Sequence, residues 1–146
     1  MARVFGCILK SPRNAVLLVR GRTTGKWSFP KGHAYDDESP LSCARRETFE
    51  ETGIVPSLFF QRCIHLAKGT YFLCNVSLES QAIPKDLKEV DAVKWVSIDD
   101  IPKFPCNVDV NNYYRLLINE DSRNTQRDAT YTYTRCLPPI PSIKMY

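Results

Sequence analysis

Apolar and β-branched positions run almost unbroken over Val4–Lys10 and again over residues 14–20, with Ser11-Pro12-Arg13 between them. Short apolar runs bounded by a proline turn predict two strands. Residues 21–26 are polar and turn-rich, and Trp27-Ser28-Phe29-Pro30-Lys31-Gly32 leads into a segment with a different period. Over Pro40–Thr52, at about 100° per residue, Leu41, Ala44 and Thr48 share one side while Glu47, Glu50 and Glu51 fall within roughly a 100° arc beside it. Ser39 suits an N-cap, Pro40 the first helical turn and Gly53 a left-handed stop, so a helix is predicted over Pro40–Thr52.

Residues 56–68 read as a strand, Gly69 as its turn and residues 70–78 as the returning strand of a hairpin. A polar loop over 81–88 precedes a strand over 90–96, and Ser97-Ile98-Asp99-Asp100 opens a short helical turn before Pro102. Tyr113, Tyr114, Leu117 and Ile118 lie at helical spacing and predict a second helix over 110–118. Strands, helix, strands and helix in this order make an α/β layer structure. After Asn119 the pattern weakens: 120–128 is polar, 131–134 alternates like a short strand and 137–141 is proline-rich. The expected organisation is a domain over 1–119 and a tail over 120–146, packed on the domain or partly disordered. The proline-rich stretch also leaves open a polyproline ligand for a protein partner.

A chain of 146 residues with 43% hydrophobic and 25% charged residues fits one globular core. No segment approaches the roughly 18 apolar residues of a membrane span, and the first residues lack a signal-length apolar run, so a cytoplasmic or nuclear protein with no membrane role is expected. Six cysteines occur without a Cys-x-x-Cys pair and with only two histidines, which argues for reduced thiols and against a zinc site. Of the two histidines, His33 follows the loop glycine and His65 sits in an apolar strand.

Net charge is +4, and its distribution says more than its size. Residues 1–35 hold seven basic side chains and no acid, whereas residues 36–51 hold six acids and two arginines. A basic segment followed by an acidic helix suits a phosphate-rich substrate. Three carboxylates on one helical face repel one another unless a cation sits among them, and an all-oxygen set suits Mg²⁺ or Mn²⁺. Arg46 lies beside Glu50 on the wheel and could fix it by a forked hydrogen bond. A solvated acidic helix is the alternative, but it would not need the glycine loop in front of it.

Gly32, Glu38, Arg46, Glu47, Glu50, Glu51, Gly53 and Ile54 match, in order and spacing, the Nudix box, and the chain is identified as resembling that family. Thr48 stands where the box usually has a bulky aliphatic residue. The resemblance implies a Nudix-type α/β/α sandwich with a mixed β-sheet, and a metal-dependent pyrophosphohydrolase. It also implies Mg²⁺ or Mn²⁺ held by the Gly32 carbonyl, Glu47, Glu50 and Glu51.

Residues 27–32, the box, and Lys88-Glu89 through Trp95-Val-Ser-Ile98 together are similar to the catalytic domain of mRNA-decapping Nudix enzymes. On that likeness Glu89 or Glu47 takes a proton, Lys31 meets the phosphates, and Arg46 orients Glu50. Arg20, Arg22, Lys31, Trp27 and Tyr71 are candidate substrate contacts. Trp27 has a competing reading as a core aromatic, and Tyr71 and Phe72 alternate faces, so at most one of them meets a ligand. Decapping would release 7-methyl-GDP and RNA with a 5′-monophosphate. The Pro30-Lys31-Gly32-His33 phrase is similar also to dinucleoside-tetraphosphate and diphosphoinositol-phosphate hydrolases. A non-catalytic RNA-binding module would be expected to show a broken box, and this box is intact.

Overall fold

The computed structural model describes residues 3–133, the side chains of 124–133 excepted. The chain forms two compact units, Met1–Tyr114 and Arg115–Tyr146. Seven strands make one mixed sheet: β1 Val4–Lys10, β2 Ala15–Gly21, β3 Trp27–Ser28, β4 Lys31–His33, β5 Arg62–His65, β6 Thr70–Asn75 and β7 Val90–Ser97. Two α-helices, α1 over Pro40–Thr52 and α2 over Val108–Tyr133, and a 3₁₀ turn over Ile98–Lys103 complete it. Among the described residues no helix is long and apolar enough to cross a membrane.

β1 is the hub. It runs parallel to β6 from Phe5 to Lys10, antiparallel to β4 from Val4 to Gly6, and pairs with β2 at Lys10. β2 pairs along its length with β7 and at Val19 and Arg20 with β3. Pairing β4 with β1 brings Gly32 opposite Phe5 and sets the glycine loop at the sheet's margin.

Both faces of the central strands are covered, which explains their unbroken apolar runs. Cys7, Leu9, Leu17, Phe72 and Cys74 form one buried layer with Ala44 of α1. On β6 the alternate residue, Tyr71, faces the other way, where its ring meets Phe29 edge-on at 5.3 Å. Phe29 in turn meets Tyr113 of α2 at 5.6 Å. Thr48 is wholly buried, and its hydroxyl has no well-formed hydrogen bond.

Several boundaries differ from the sequence expectation. The strand expected over 56–68 is confined to Arg62–His65, because Pro56 cannot join a ladder and Leu58, Phe59 and Phe60 lie exposed in a loop. β3 and β4 were too short to show a period. α2 continues well past residue 118 to Tyr133, so Tyr131 to Tyr133 are helical rather than strand-like, and residue 119 marks no end of an element. The first compact unit ends at Tyr114. In the second unit Leu116 and Ile118 are exposed. The proline-rich stretch over 137–141 lies outside the described residues.

Removing Phe29, which no solvent reaches and which touches two other rings, should cost about 3–5 kcal/mol. Phe59, 87% exposed, is the control: Phe59→Ala should stay within about 0.5 kcal/mol. Urea unfolding of Phe29→Ala and Phe59→Ala would show this contrast.

Candidate active site

α1 is framed as its sequence requires. The Ser39 hydroxyl accepts from Ser42 N at 3.2 Å, and Gly53 adopts φ 76° and donates to Phe49 O at 2.8 Å. Loop residues then take up carbonyls at the helix end, with Ile83 N donating to Thr52 O and Lys85 N and Asp86 N to Glu50 O. This docking carries the 81–88 loop across the end of α1. Arg22 secures its far side, donating from N to Glu89 O and from Nε to Leu87 O, both at 2.8 Å.

Arg46 organises the acidic face, bonding Glu50 as expected but Glu38 more closely. Its guanidinium forks onto Glu38, Nε to Oε2 at 2.7 Å and Nη2 to Oε1 at 2.8 Å. Nη1 reaches Glu47 at 3.1 Å and Glu50 only at 3.3 Å and 3.4 Å. Nη2 also donates to His33 O, and the group lies 4.0 Å from the centre of the Tyr35 ring. Glu38 accepts in addition from Tyr35 N, and Arg3 donates to the carbonyls of Tyr35, Asp36 and Glu38. The box glutamate in the loop thus holds the arginine; Arg46 ties the loop to α1, and Arg3 ties it to the segment entering β1. Paired with Arg46, the Glu38 carboxyl falls to about 2.

Glu47 and Glu51 are buried on α1. Desolvation raises Glu47 to about 7, against the pull of Arg46, and raises Glu51 to about 8, against Lys31. The charge of Glu89 adds to both shifts, which places it on the same side as the helix carboxylates. Glu51 Oε1 accepts from Lys31 N at 3.2 Å, and the Glu47 carboxyl group lies against Gly32 where a Cβ would stand. The Gly32 carbonyl meets the neutral Cys43 thiol at 3.5 Å, whose burial pushes it up to about 11.

The donors are all oxygens, and burial disfavours the ionised form of two of the carboxyls more than Arg46 and Lys31 favour it. That chemistry fits Mg²⁺ or Mn²⁺. No three His, Cys, Asp or Glu side chains among the described residues already surround one point, and Arg46 occupies the space beside Glu47 and Glu50.

Two adjoining cavities flank this face. One, of about 270 Å³, is lined by Lys31, Gly32, His33, Glu51, Lys68 and Glu89 among others. The second, of about 350 Å³, shares Gly21, Ser28, Lys31 and Glu89 and adds Lys26, Lys88 and Asn107. Lys31 and Glu89 therefore line both cavities. Four substrate candidates do not. Trp27 and Tyr71 are core residues, Trp27 edge-on to Phe104 and Tyr71 bonded to Asp109, because both sheet faces are covered. Arg20 is spent on Asp91 at 2.8 Å and over Trp27, and Arg22 on the loop carbonyl. His65 lies apart, its Nδ1 3.0 Å from the Thr70 hydroxyl. The sequence reading passed over Lys26, Lys68 and Asn107, whose isolated polar positions carry no period or motif.

Comparison with known proteins agrees with this layout. Residues 1–117 match the NUDIX domain. Over 128 residues the chain is 33% identical to the m7GpppN-mRNA hydrolase dcap-2 of Caenorhabditis elegans, covering 77% of this chain and 16% of that protein. It is 32% identical over 104 residues to mRNA decapping complex subunit 2 of Schizosaccharomyces pombe, covering 66% and 14%. The chain thus spans about one-sixth or less of the length of these relatives. A C. elegans Ap4A hydrolase shares the fold, with a TM-score of 0.66 at 20% identity over 84% of this chain and 98% of that one. With its box intact and the domain match covering most of its length, the chain belongs to the Nudix family of hydrolases, which act on phosphoanhydride bonds.

Proposed function

We propose that this chain is a metal-dependent decapping pyrophosphohydrolase of the cytoplasm, converting capped RNA to 7-methyl-GDP and RNA with a 5′-monophosphate. The observation that carries the hydrolase reading is the lysine-lined cleft set against an acidic helix face that holds two buried carboxyls. The decapping reading is supported by the likeness to dcap-2 and to the fission-yeast decapping subunit.

The Gly32 carbonyl, Glu47, Glu50 and Glu51 would hold Mg²⁺ or Mn²⁺. When bound, such an ion neutralises bridging phosphates and makes water more acidic. Glu89, exposed at the cavity edge on a loop fixed by α1 and Arg22, takes the proton of the attacking water, with Glu47 as the alternative base. Lys31 sets its ammonium against the phosphate chain and offsets charge on the leaving group. Arg46 holds the glycine loop and the helix in one arrangement.

A second reading is a dinucleoside-polyphosphate or diphosphoinositol-phosphate hydrolase. Its diphosphoinositol arm is favoured by one feature: neither cavity is lined by Trp, Tyr or Phe, so phosphates find partners there and a nucleobase finds no stacking platform.

Cap-labelled RNA, diadenosine tetraphosphate and diphosphoinositol pentakisphosphate, incubated with Mg²⁺ or Mn²⁺ and separated by chromatography, test the choice. Release of 7-methyl-GDP from RNA, abolished by EDTA, is expected; turnover of either other compound alone would favour the second reading. Glu50→Gln should lose on the order of 10²–10⁴ in turnover with an unchanged circular-dichroism melt, and wild-type rates from that variant would refute the assignment.

A further inference from the structure

Asp109 is a wholly buried carboxylate in the first turn of α2, far in sequence from the box. A charge in such a place is costly unless every oxygen is bonded. Here the bonds are present and all run to one short stretch: Oδ1 accepts from Lys68 N at 2.9 Å, and Oδ2 accepts from it at 3.3 Å and from the Tyr71 hydroxyl at 2.7 Å. Burial and this carboxylate together push the Tyr71 phenol above its ordinary value.

The stretch is the β5–β6 turn, already closed by Leu66 N donating to Gly69 O at 2.9 Å. A tight hairpin turn does not need a buried carboxylate to exist. What the added bonds do is fix Lys68 against the sheet and the start of α2. Lys68 is exposed, forms no ion pair among the described residues, and lines the same cavity as Lys31, Glu51 and Glu89. Lys31, Lys68, Glu51 and Glu89 reach that cavity from four different parts of the chain: β4, the hairpin turn, α1 and the loop before β7.

We propose that Lys68 is a substrate-binding residue that takes a phosphate of the substrate in the cavity beside Glu51 and Glu89, and that Asp109 is the positioning residue that holds it there. The substrate class this implies is a chain of several phosphates, with Lys31 and Lys68 as two separately mounted cations for it. This rests on the pyrophosphohydrolase reading but does not depend on which polyphosphate compound is cleaved.

Inorganic tripolyphosphate, with binding measured by titration calorimetry at low salt, probes it without any hydrolysis assay. Lys68→Ala should weaken binding about tenfold, and Lys68→Arg should restore most of it, since a phosphate accepts from either cation. In turnover of whichever substrate is cleaved, Lys68→Ala should raise KM by a similar factor with little change in kcat. Asp109→Asn keeps one acceptor oxygen and should weaken tripolyphosphate binding in the parent protein but not in the Lys68→Ala background, a non-additivity that a merely structural role would not produce.

Unchanged binding in Lys68→Ala, absence of tripolyphosphate binding by the parent protein, or equal effects of Asp109→Asn in both backgrounds would each overturn the proposal. Failure of the parent protein to cleave any polyphosphate, with the Lys68 effect on binding intact, would count against the enzymatic reading alone.

Discussion

Electrostatic crowding on one face of α1 is the constraint from which the rest of the site follows. Glu47, Glu50 and Glu51 occupy neighbouring positions, and burial disfavours the ionised form of two of them. Arg46 relieves part of this, but its strongest bonds go to Glu38 in the loop rather than to the helix acids. The result is a helix tied to its glycine loop by one guanidinium, with enough negative charge left over to attract a cation. Glu51, farthest along α1, has as its partner the backbone N–H of Lys31, so strand β4 and the acidic face are locked together.

The sheet sets the second condition. Covering it on both faces removes the aromatic side chains from the cleft: Trp27, Phe29 and Tyr71 all point into packed layers. What remains at the cleft is polar and cationic, with lysines supplied by β4, by the turn before β3, by the 66–69 turn and by the loop before β7. A cleft of this composition suits a phosphate-rich ligand, whose attraction to exposed lysines weakens as salt rises.

The catalytic segment was the most legible part of the sequence. Its signals are local: a hydroxyl cap, a proline, a glycine stop and a 3.6-residue period, and α1 has the predicted bounds and caps. β1 likewise has its predicted limits, because a buried strand between turns leaves no ambiguity of period. Legibility failed where long-range packing decides. The helical wheel gave Glu50 as a partner of Arg46 but not the closer one, since it does not show that the loop folds Glu38 back onto it. Tyr71 looked available because nothing in its neighbourhood reveals that helices cover both sides, whereas the reading of Trp27 as a core aromatic agrees with its burial. Lys68 and Asp109, 41 positions apart, meet only in the folded chain.

We propose that the acidic face of α1 is a divalent-cation site. A crystal of this protein grown or soaked in Mn²⁺ and measured at the manganese absorption edge tests this. An anomalous peak is expected about 2.0–2.2 Å from carboxylate oxygens of Glu47, Glu50 or Glu51, with Arg46 still forked onto Glu38. Full Mn²⁺ loading of the crystal with no peak beside those three glutamates would contradict it.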